Sequence, residues 1–206
     1  MNSDEREERS IIGILGGMGP EATLECFQSI IDQTPARTDQ EHMHILIENN
    51  PQIPDRTEAI LKEGDNPLPL MRRSARRLEA AGANFLIIPC NTAHHFLSGI
   101  TDKIDIPILN MVRLTVEKVP IGGSAGLLAT SGTIKTGIYE KYAQGSINII
   151  YPEDSYQQKV MNVIYGEKGI KAGFKDYCLT EELKLVVKHL KNKGANTIIA
   201  GCTEIR

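Results

Sequence analysis

Two pseudo-symmetric, doubly wound α/β domains with parallel sheets, facing one another across a cleft, are what this sequence predicts. Three observations lead there. Gly82-Ala-Asn-Phe-Leu-Ile-Ile-Pro-Cys90 and Gly194-Ala-Asn-Thr-Ile-Ile-Ala-Gly-Cys202 are near-copies, in which a helix ends at glycine, an apolar run follows and a thiol stands where the run stops. Gly13-Ile-Leu-Gly-Gly-Met-Gly19 and Gly126-Leu-Leu-Ala-Thr-Ser-Gly132 repeat at almost the same interval. Short apolar runs also alternate with helical patterns along the whole chain, as in parallel sheets covered on both faces.

The elements follow in order. Ile11–Gly17 reads as a strand that breaks into a glycine-rich turn. Pro20 suits the first turn of a helix, where its missing N–H costs nothing, and Glu21 suits the positive end of the dipole, so a helix runs to about Asp32. Met43–Glu48 is the next strand, followed by the proline-rich loop Asn49–Thr57. Helices are expected over Thr57–Glu63 and Leu68–Ala81, with Gly82 as the terminating residue. Asn84–Pro89 and Ile106–Leu109 read as strands, and Thr92–Ile100 and Val112–Val119 as helices. The second half gives strands at Ser124–Thr130, Ile147–Tyr151 and Asn196–Ala200, and helices at Ile134–Tyr142, Tyr156–Tyr165 and Thr180–Lys193. A loop rich in glycine and lysine spans Gly166–Gly173. The expected division is an N-terminal extension over residues 1–10, a first domain over 11–112 and a second over 113–206. That gives two units of about 100 residues each.

Composition narrows the function. Hydrophobic residues make up 41% and charged residues 24% of the 206 positions, ordinary for a globular protein. No apolar run reaches the roughly 18 residues of a membrane span, and MNSDEREERS lacks the apolar stretch of a signal peptide. A net charge of −3 without a basic stripe argues against nucleic acid. Cys26, Cys90, Cys178 and Cys202 form no C-x-x-C pair, which fits free thiols in a reducing cytoplasm. His42-x-His44 and His94-His95 lack a third ligand at metal-site spacing, so no metal is expected, and His94 and His95 read as packing or surface residues.

The chemistry gathers at strand ends, where open parallel sheets bind ligands. A cysteine between a strand end and a helix start sits among unpaired N–H groups that favour the thiolate. Cys90 and Cys202 both occupy such a place, and their hydroxyl neighbours Thr92 and Thr203 are possible donors. If the two halves face each other, two thiols address one carbon from opposite sides. Arg56 could clamp a carboxylate through two parallel hydrogen bonds; its bland alternative is a solvated pair with Asp55. Lys171, between Gly169 and Gly173, fits a loop that carries a cation to a ligand, or a plain surface lysine. Thr130-Ser131-Gly132-Thr133 is a hydroxyl-rich turn suited to an anionic group. A competing reading takes Gly17-Met-Gly19-Pro-Glu-Ala22, with Glu48, as a dinucleotide fingerprint and the protein as a nicotinamide or flavin enzyme. Pro20 weakens it by removing an N–H from the cradle, and Glu48 lies about 30 rather than about 20 residues on.

Together, Gly13-Ile-Leu-Gly-Gly-Met-Gly-Pro20, Asn49-Asn-Pro-Gln-Ile-Pro-Asp-Arg-Thr57, Pro89-Cys-Asn-Thr-Ala-His94, Leu128-Ala-Thr-Ser-Gly-Thr133, Lys171-Ala-Gly173 and Gly201-Cys-Thr-Glu204 resemble the aspartate/glutamate racemase family, within it the aspartate racemases. The resemblance covers the chain from Ile11 to Glu204 and implies a cofactor-independent racemase, with Cys90 and Cys202 as the catalytic thiols and aspartate as substrate. It places substrate contacts on Met18, Arg56, Asn91, Thr92, Ala93 and Lys171, with Arg56 and Lys171 on the side-chain carboxylate. It further implies a homodimer. Relatives acting on glutamate, on several amino acids or on hydantoins are the nearest alternatives, and a non-catalytic amino-acid-binding relative is another. The family pattern continues past the second cysteine motif with a strand and a helix. A sheet covered on both faces calls for such a segment, so a truncated chain with exposed apolar surface is the expectation at Arg206.

Overall fold

The computed structural model describes residues 10–174 and 176–205. Of the expected N-terminal extension, residues 1–9 lie outside that range.

In chain order the elements are β1 (Ile12–Gly16), α1 (Pro20–Gln33), β2 (Ile45–Asn49), α2 (Arg56–Leu61), α3 (Leu68–Ala80), β3 (Phe85–Ile87), a 3-10 turn (Thr92–Phe96) leading into α4 (Leu97–Thr101), β4 (Ile108–Leu109) and α5 (Met111–Val116). Then come β5 (Ser124–Leu128), α6 (Ser131–Lys135), α7 (Ile138–Ala143), β6 (Asn148–Ile150), α8 (Asp154–Tyr165), a 3-10 turn (Ile170–Ala172), α9 (Tyr177–Asn192) and β7 (Thr197–Ala200). The strands form two parallel sheets, ordered β2-β1-β3-β4 and β6-β5-β7. In each sheet the first strand is flanked by the second and the third.

The chain resolves into two compact units. Unit 1 comprises residues 10–53, 67–89 and 96–109, and unit 2 comprises 54–66, 90–95 and 110–205. A division at 112/113 therefore misses two short segments of the first half. Residues 54–66 and 90–95 belong with the second half because α2 packs on α6 and the Cys90 loop is hydrogen-bonded to Thr130, Thr133 and Tyr139.

Unit 1 is built on β1, whose five residues are all buried. Helix α3 covers the sheet with Met71, Ser74, Ala75 and Leu78, the i, i+3, i+4, i+7 stripe of an amphipathic helix. Its other side carries Arg72, Arg73, Arg76 and Arg77, a basic stripe that the composition-level reading lacks. Three of them serve as local stitches. Arg72 Nε donates to Gly99 O at 2.6 Å, Arg76 Nε to Lys103 O at 3.3 Å, and Arg77 Nη1 meets Glu48 Oε1 at 2.8 Å.

Unit 2 has two apolar layers, one on each side of its sheet. Val112, Val116, Leu127, Tyr139 and Ile199 belong to one; Leu128, Val160, Ile164, Val186 and Leu190 belong to the other.

The sequence repeat survives to the level of single hydrogen bonds. Gly82 and Gly194 take left-handed φ values of 98° and 99° after α3 and α9. Ala83 N donates to Leu78 O and Ala195 N to Leu190 O, both at 3.0 Å, the six-to-one closure of a helix end. Asn84 N reaches Ile11 O at 2.8 Å, and Asn196 N reaches Ser124 O at 2.9 Å. Each asparagine side chain accepts in return, from Ile11 N at 2.6 Å and from Ser124 N at 3.2 Å. The same device launches β3 and β7 from neighbouring strands, and each leads to its cysteine.

Two expected helices are broken. The one expected over Thr92–Ile100 opens as a 3-10 turn before α4. The one expected over Ile134–Tyr142 divides at Gly137, whose φ of 60° starts a new helix.

Candidate active site

Cys90, Asn91, Thr92, Arg56, Lys171 and Cys202 all fall in unit 2. The thiols of Cys90 and Cys202 are free and buried, with 6% and 7% residual exposure.

The Cys90 loop is held from several sides. His94 Nδ1 lies 2.8 Å from Cys90 O, while His94 Nε2 faces Met111 N at 3.2 Å. Only one tautomer satisfies both, with Nε2 accepting and Nδ1 carrying the proton that it donates to Cys90 O. His94 is 3% exposed and thus acts as a structural clip. Tyr139 OH donates to Asn91 Oδ1 at 2.7 Å. Burial pushes the Tyr139 phenol up, with the charge of Cys202 adding to the effect, so the hydroxyl remains a donor.

Thr92 enters a cluster of buried hydroxyls. Its Oγ1 lies 2.7 Å from that of Thr133 and 3.2 Å from that of Thr130, and Thr57 Oγ1 donates to Thr130 Oγ1 at 3.0 Å. Thr130 is also the N-cap of α6, accepting from Thr133 N at 3.2 Å. A Cβ at Gly132 would stand 2.8 Å from Thr57 Cα, so only glycine lets α2 and α6 approach this closely. The hydroxyl-rich turn expected to bind an anion is therefore packed beneath α2, and the hydroxyls of Thr130 and Thr133 bond one another and their threonine neighbours. Ser131 lies beside it, its Oγ accepting from Gln157 Nε2 at 3.2 Å.

Helix α2 positions Arg56. Asp55 caps it, its Oδ1 accepting from Thr57 N at 2.7 Å and Glu58 N at 3.0 Å. Tyr165 OH donates to Asp55 Oδ2 at 3.0 Å. The solvated Arg56–Asp55 pair of the bland reading is thus replaced by a buried arrangement. Arg56 is 6% exposed, and its Nη1 donates to Pro54 O at 3.0 Å. Desolvation acts against its charge, but Cys90, through its field and a hydrogen bond, and the field of Asp55 outweigh it and hold the guanidinium above its ordinary value.

Cys202 has the opposite neighbour. Its Sγ donates to Glu204 Oε2 at 3.0 Å, and Thr203 Oγ1 donates to the same oxygen at 3.3 Å. Burial, then the charge and side-chain hydrogen bond of Glu204, then Cys90, raise the Cys202 thiol well above its ordinary 9.0, although the Glu204 backbone opposes this. The expectation that both strand-end settings favour thiolate thus fails at Cys202. Residues 201–205 form only a turn, and the Glu204 carboxylate dominates the backbone groups there. Lys171, on the turn closed by Gly173, pairs with Glu204 Oε1 at 3.3 Å and stands 5.4 Å from the Tyr165 ring centroid.

Of the other expected residues, Ala93 is buried in the Cys90 loop and Met18 is buried in unit 1. Cys26 is half-buried and Cys178 exposed. Asp55, Tyr139, Tyr165 and Glu204 are site residues that the motif reading did not single out. The dinucleotide reading loses its cradle, because Gly17 N donates to Thr23 Oγ1 at 2.9 Å and a Cβ at Gly17 would lie 2.3 Å from the Asn50 carbonyl carbon. Among the described residues there is no cluster of metal-ligating side chains, and no helix is long and apolar enough to cross a membrane.

An arrangement of two buried thiols, one beside a cation and one beside a carboxylate, can take and return a proton. Comparison with known proteins places the chain among amino-acid racemases. The chain is 28% identical to the broad specificity amino-acid racemase RacX of Bacillus subtilis (strain 168), over 95% of its own length and 86% of the relative's. It is 25% identical to the glutamate racemase of Corynebacterium glutamicum over 71% of the chain, spanning 57% of that protein. Its fold matches the aspartate racemase of Picrophilus torridus with a TM-score of 0.81 at 28% identity, covering 95% of this chain and 82% of the other. Residues 15–206 match the Asp/Glu/Hydantoin racemase family throughout, and the chain belongs to that family.

Proposed function

We propose that this amino-acid racemase interconverts L- and D-aspartate by a two-base 1,1-proton transfer between Cys90 and Cys202. The observation that carries the reading is that both thiols, from equivalent strand ends, lie buried in unit 2, where Cys90 adds to the field at Cys202 and Cys202 to that at Tyr139, the residue bonded to Asn91. One sulfur, as thiolate, removes the Cα proton and becomes a thiol. The other gives its proton to the opposite face of the same carbon and becomes the thiolate. The reverse reaction exchanges the roles. The weak acidity of Cα–H calls for a dry site with fixed donors around the α-carboxylate; Asn91, Thr92, Thr203 and the N–H groups after each cysteine are the candidates. Arg56 and Lys171 serve the side-chain carboxylate, and Ala93 shapes the site. Thr130, Ser131 and Thr133 act through the frame that holds Arg56 and the Cys90 loop. The chemistry needs no cofactor, because the acid and the base are both side chains. The reading also takes the enzyme as cytoplasmic and as a homodimer, and equilibrium sedimentation tests the dimer.

Aspartate is favoured over monocarboxylic amino acids because such a substrate would leave one cation idle. Incubating the protein with L-aspartate in D₂O should replace Cα–H by Cα–D and yield D-aspartate; an intact protein that leaves Cα–H unexchanged sinks the reading. The similarity to the broad specificity racemase favours a second reading, in which several amino acids are substrates. Exchange rates across aspartate, glutamate and neutral amino acids separate the two.

A further inference from the structure

We propose that Glu204 is the positioning residue of the second thiol: it holds the proton on Cys202 in the resting site and accepts that proton when a substrate carboxylate draws Lys171 away. The proposal deepens the two-thiol reading above and rests on it. The geometry divides one carboxylate between two tasks. Oε2 accepts from Cys202 Sγ at 3.0 Å, and Oε1 faces Lys171 Nζ at 3.3 Å. The Glu204 side chain is 8% exposed, whereas that of Lys171 is 25% exposed. An incoming anion therefore reaches the lysine before it reaches the glutamate. Lys171 also sits on a short turn between Gly169 and Gly173 that contains no buried residue.

The step balances. The S–H bond of Cys202 breaks, an O–H bond forms on Glu204 Oε2, and one negative charge moves from the carboxylate to the sulfur. The pair carries a single negative charge before and after. A buried site thus avoids a second anion, which desolvation would oppose strongly. While Lys171 is paired, its charge stabilises the carboxylate and opposes the transfer. Once the amine turns to a substrate carboxylate, that opposition is removed. Substrate recognition and readiness of the thiol are coupled through one ion pair. The other titratable groups around this pair are Tyr139 on α7, Tyr165 on α8 and Cys90, each of which interacts with Cys202. Asp55 and Arg56 interact with Tyr165 and Cys90 in turn.

The test is alkylation of Cys202 by iodoacetamide across pH, read by peptide mass spectrometry on the full chain, which does not depend on racemase activity. Glu204→Gln removes the charge that keeps the proton on sulfur, so the midpoint should fall by about one unit or more. Turnover should fall by about tenfold or more with KM changed much less, since a proton acceptor is lost. Faster alkylation with slower turnover is a pairing that a merely structural role does not produce. Lys171→Met removes the same opposition as an arriving carboxylate, so alkylation near neutral pH should quicken and the midpoint should fall as well, and Glu204→Asp should restore most of the wild-type profile. Unchanged midpoints in both Glu204→Gln and Lys171→Met overturn the proposal. If Glu204→Gln does not fold by circular dichroism, Lys171→Met alone decides, a downward shift supporting the proposal and an upward or absent shift overturning it. If wild-type protein fails to exchange Cα–H, the racemase reading fails, yet the alkylation profiles still decide whether Glu204 governs Cys202.

Discussion

The two cysteine loops start alike and end differently. Up to the strand they match nearly atom for atom: a glycine at left-handed φ, a closing bond from alanine, and an asparagine that stitches the new strand to its neighbour. Beyond the strand the surroundings diverge. Cys90 meets a buried guanidinium and is clipped by His94, whereas Cys202 meets a carboxylate and is held by a turn. Duplication thus supplies two thiols at equivalent places, and the residues around them supply opposite charge. A symmetric pair would give two thiols in the same state, whereas a proton transfer needs one donor and one acceptor.

The sharpest attempt to break the comparison removes each thiol in turn. Cys90→Ala and Cys202→Ala should each lower D-aspartate formation by about a thousandfold or more, as loss of an obligatory acid or base does. A variant near the wild-type rate takes that thiol out of the mechanism. Next comes the cation beside Cys90. Arg56→Lys keeps the charge but loses the fork of donors, and kcat/KM for aspartate should drop about a hundredfold; a wild-type value would mean that charge alone matters there. The clip is the third target. His94→Leu leaves Cys90 O and Met111 N without their partner, a cost of about 1–3 kcal/mol that a shifted urea midpoint would report. An unchanged midpoint would show that the loop is held by its hydroxyl contacts instead.

The smallest effect near neutrality concerns pH. Burial raises Tyr139 and Tyr165 above their ordinary 10.0 and Cys202 above its ordinary 9.0. The unfolded chain gives up these protons first as pH rises. Stability is therefore fully present below the ordinary thiol value and declines above it. Urea midpoints should be level from about pH 7 to about pH 8 and fall beyond about pH 9, and a flat alkaline limb would contradict the burial of these groups.

Much of this was legible in the sequence, for physical reasons that differ from residue to residue. The repeated Gly-Ala-Asn peptides encode a helix stop and a strand start locally, so both cysteines could be placed at strand ends. Gly137 is visible too, but the helical pattern over Ile134–Tyr142 runs through it, and only its left-handed φ reveals the break. Tyr165 and Tyr139 gave no local signal. Their hydroxyls reach Asp55 and Asn91 across separations of 110 and 48 residues, which periodicity does not encode. The threonines of the Thr130 turn carried a misleading one. A hydroxyl-rich turn before a helix resembles an anion site until the α2 residue that fills it is known. Glu204 lay within the Gly201-Cys-Thr-Glu204 motif, and its closeness to Cys202 was the one available clue.

The attachment of residues 54–66 and 90–95 to unit 2 bears on how the molecule reaches its native state. Thr57 and Thr130 are 73 positions apart, Tyr165 and Asp55 are 110 apart, and both contacts stand in the same hydroxyl-lined corner. Such closures carry a large entropic cost, because a long loop is ordered before its contacts reward it. A segment cut at residue 110 would retain Cys202 and Lys171 but neither Cys90 nor Arg56. The proposed two-thiol site is therefore a property of the assembled polypeptide, and no contiguous piece confined to either half carries it.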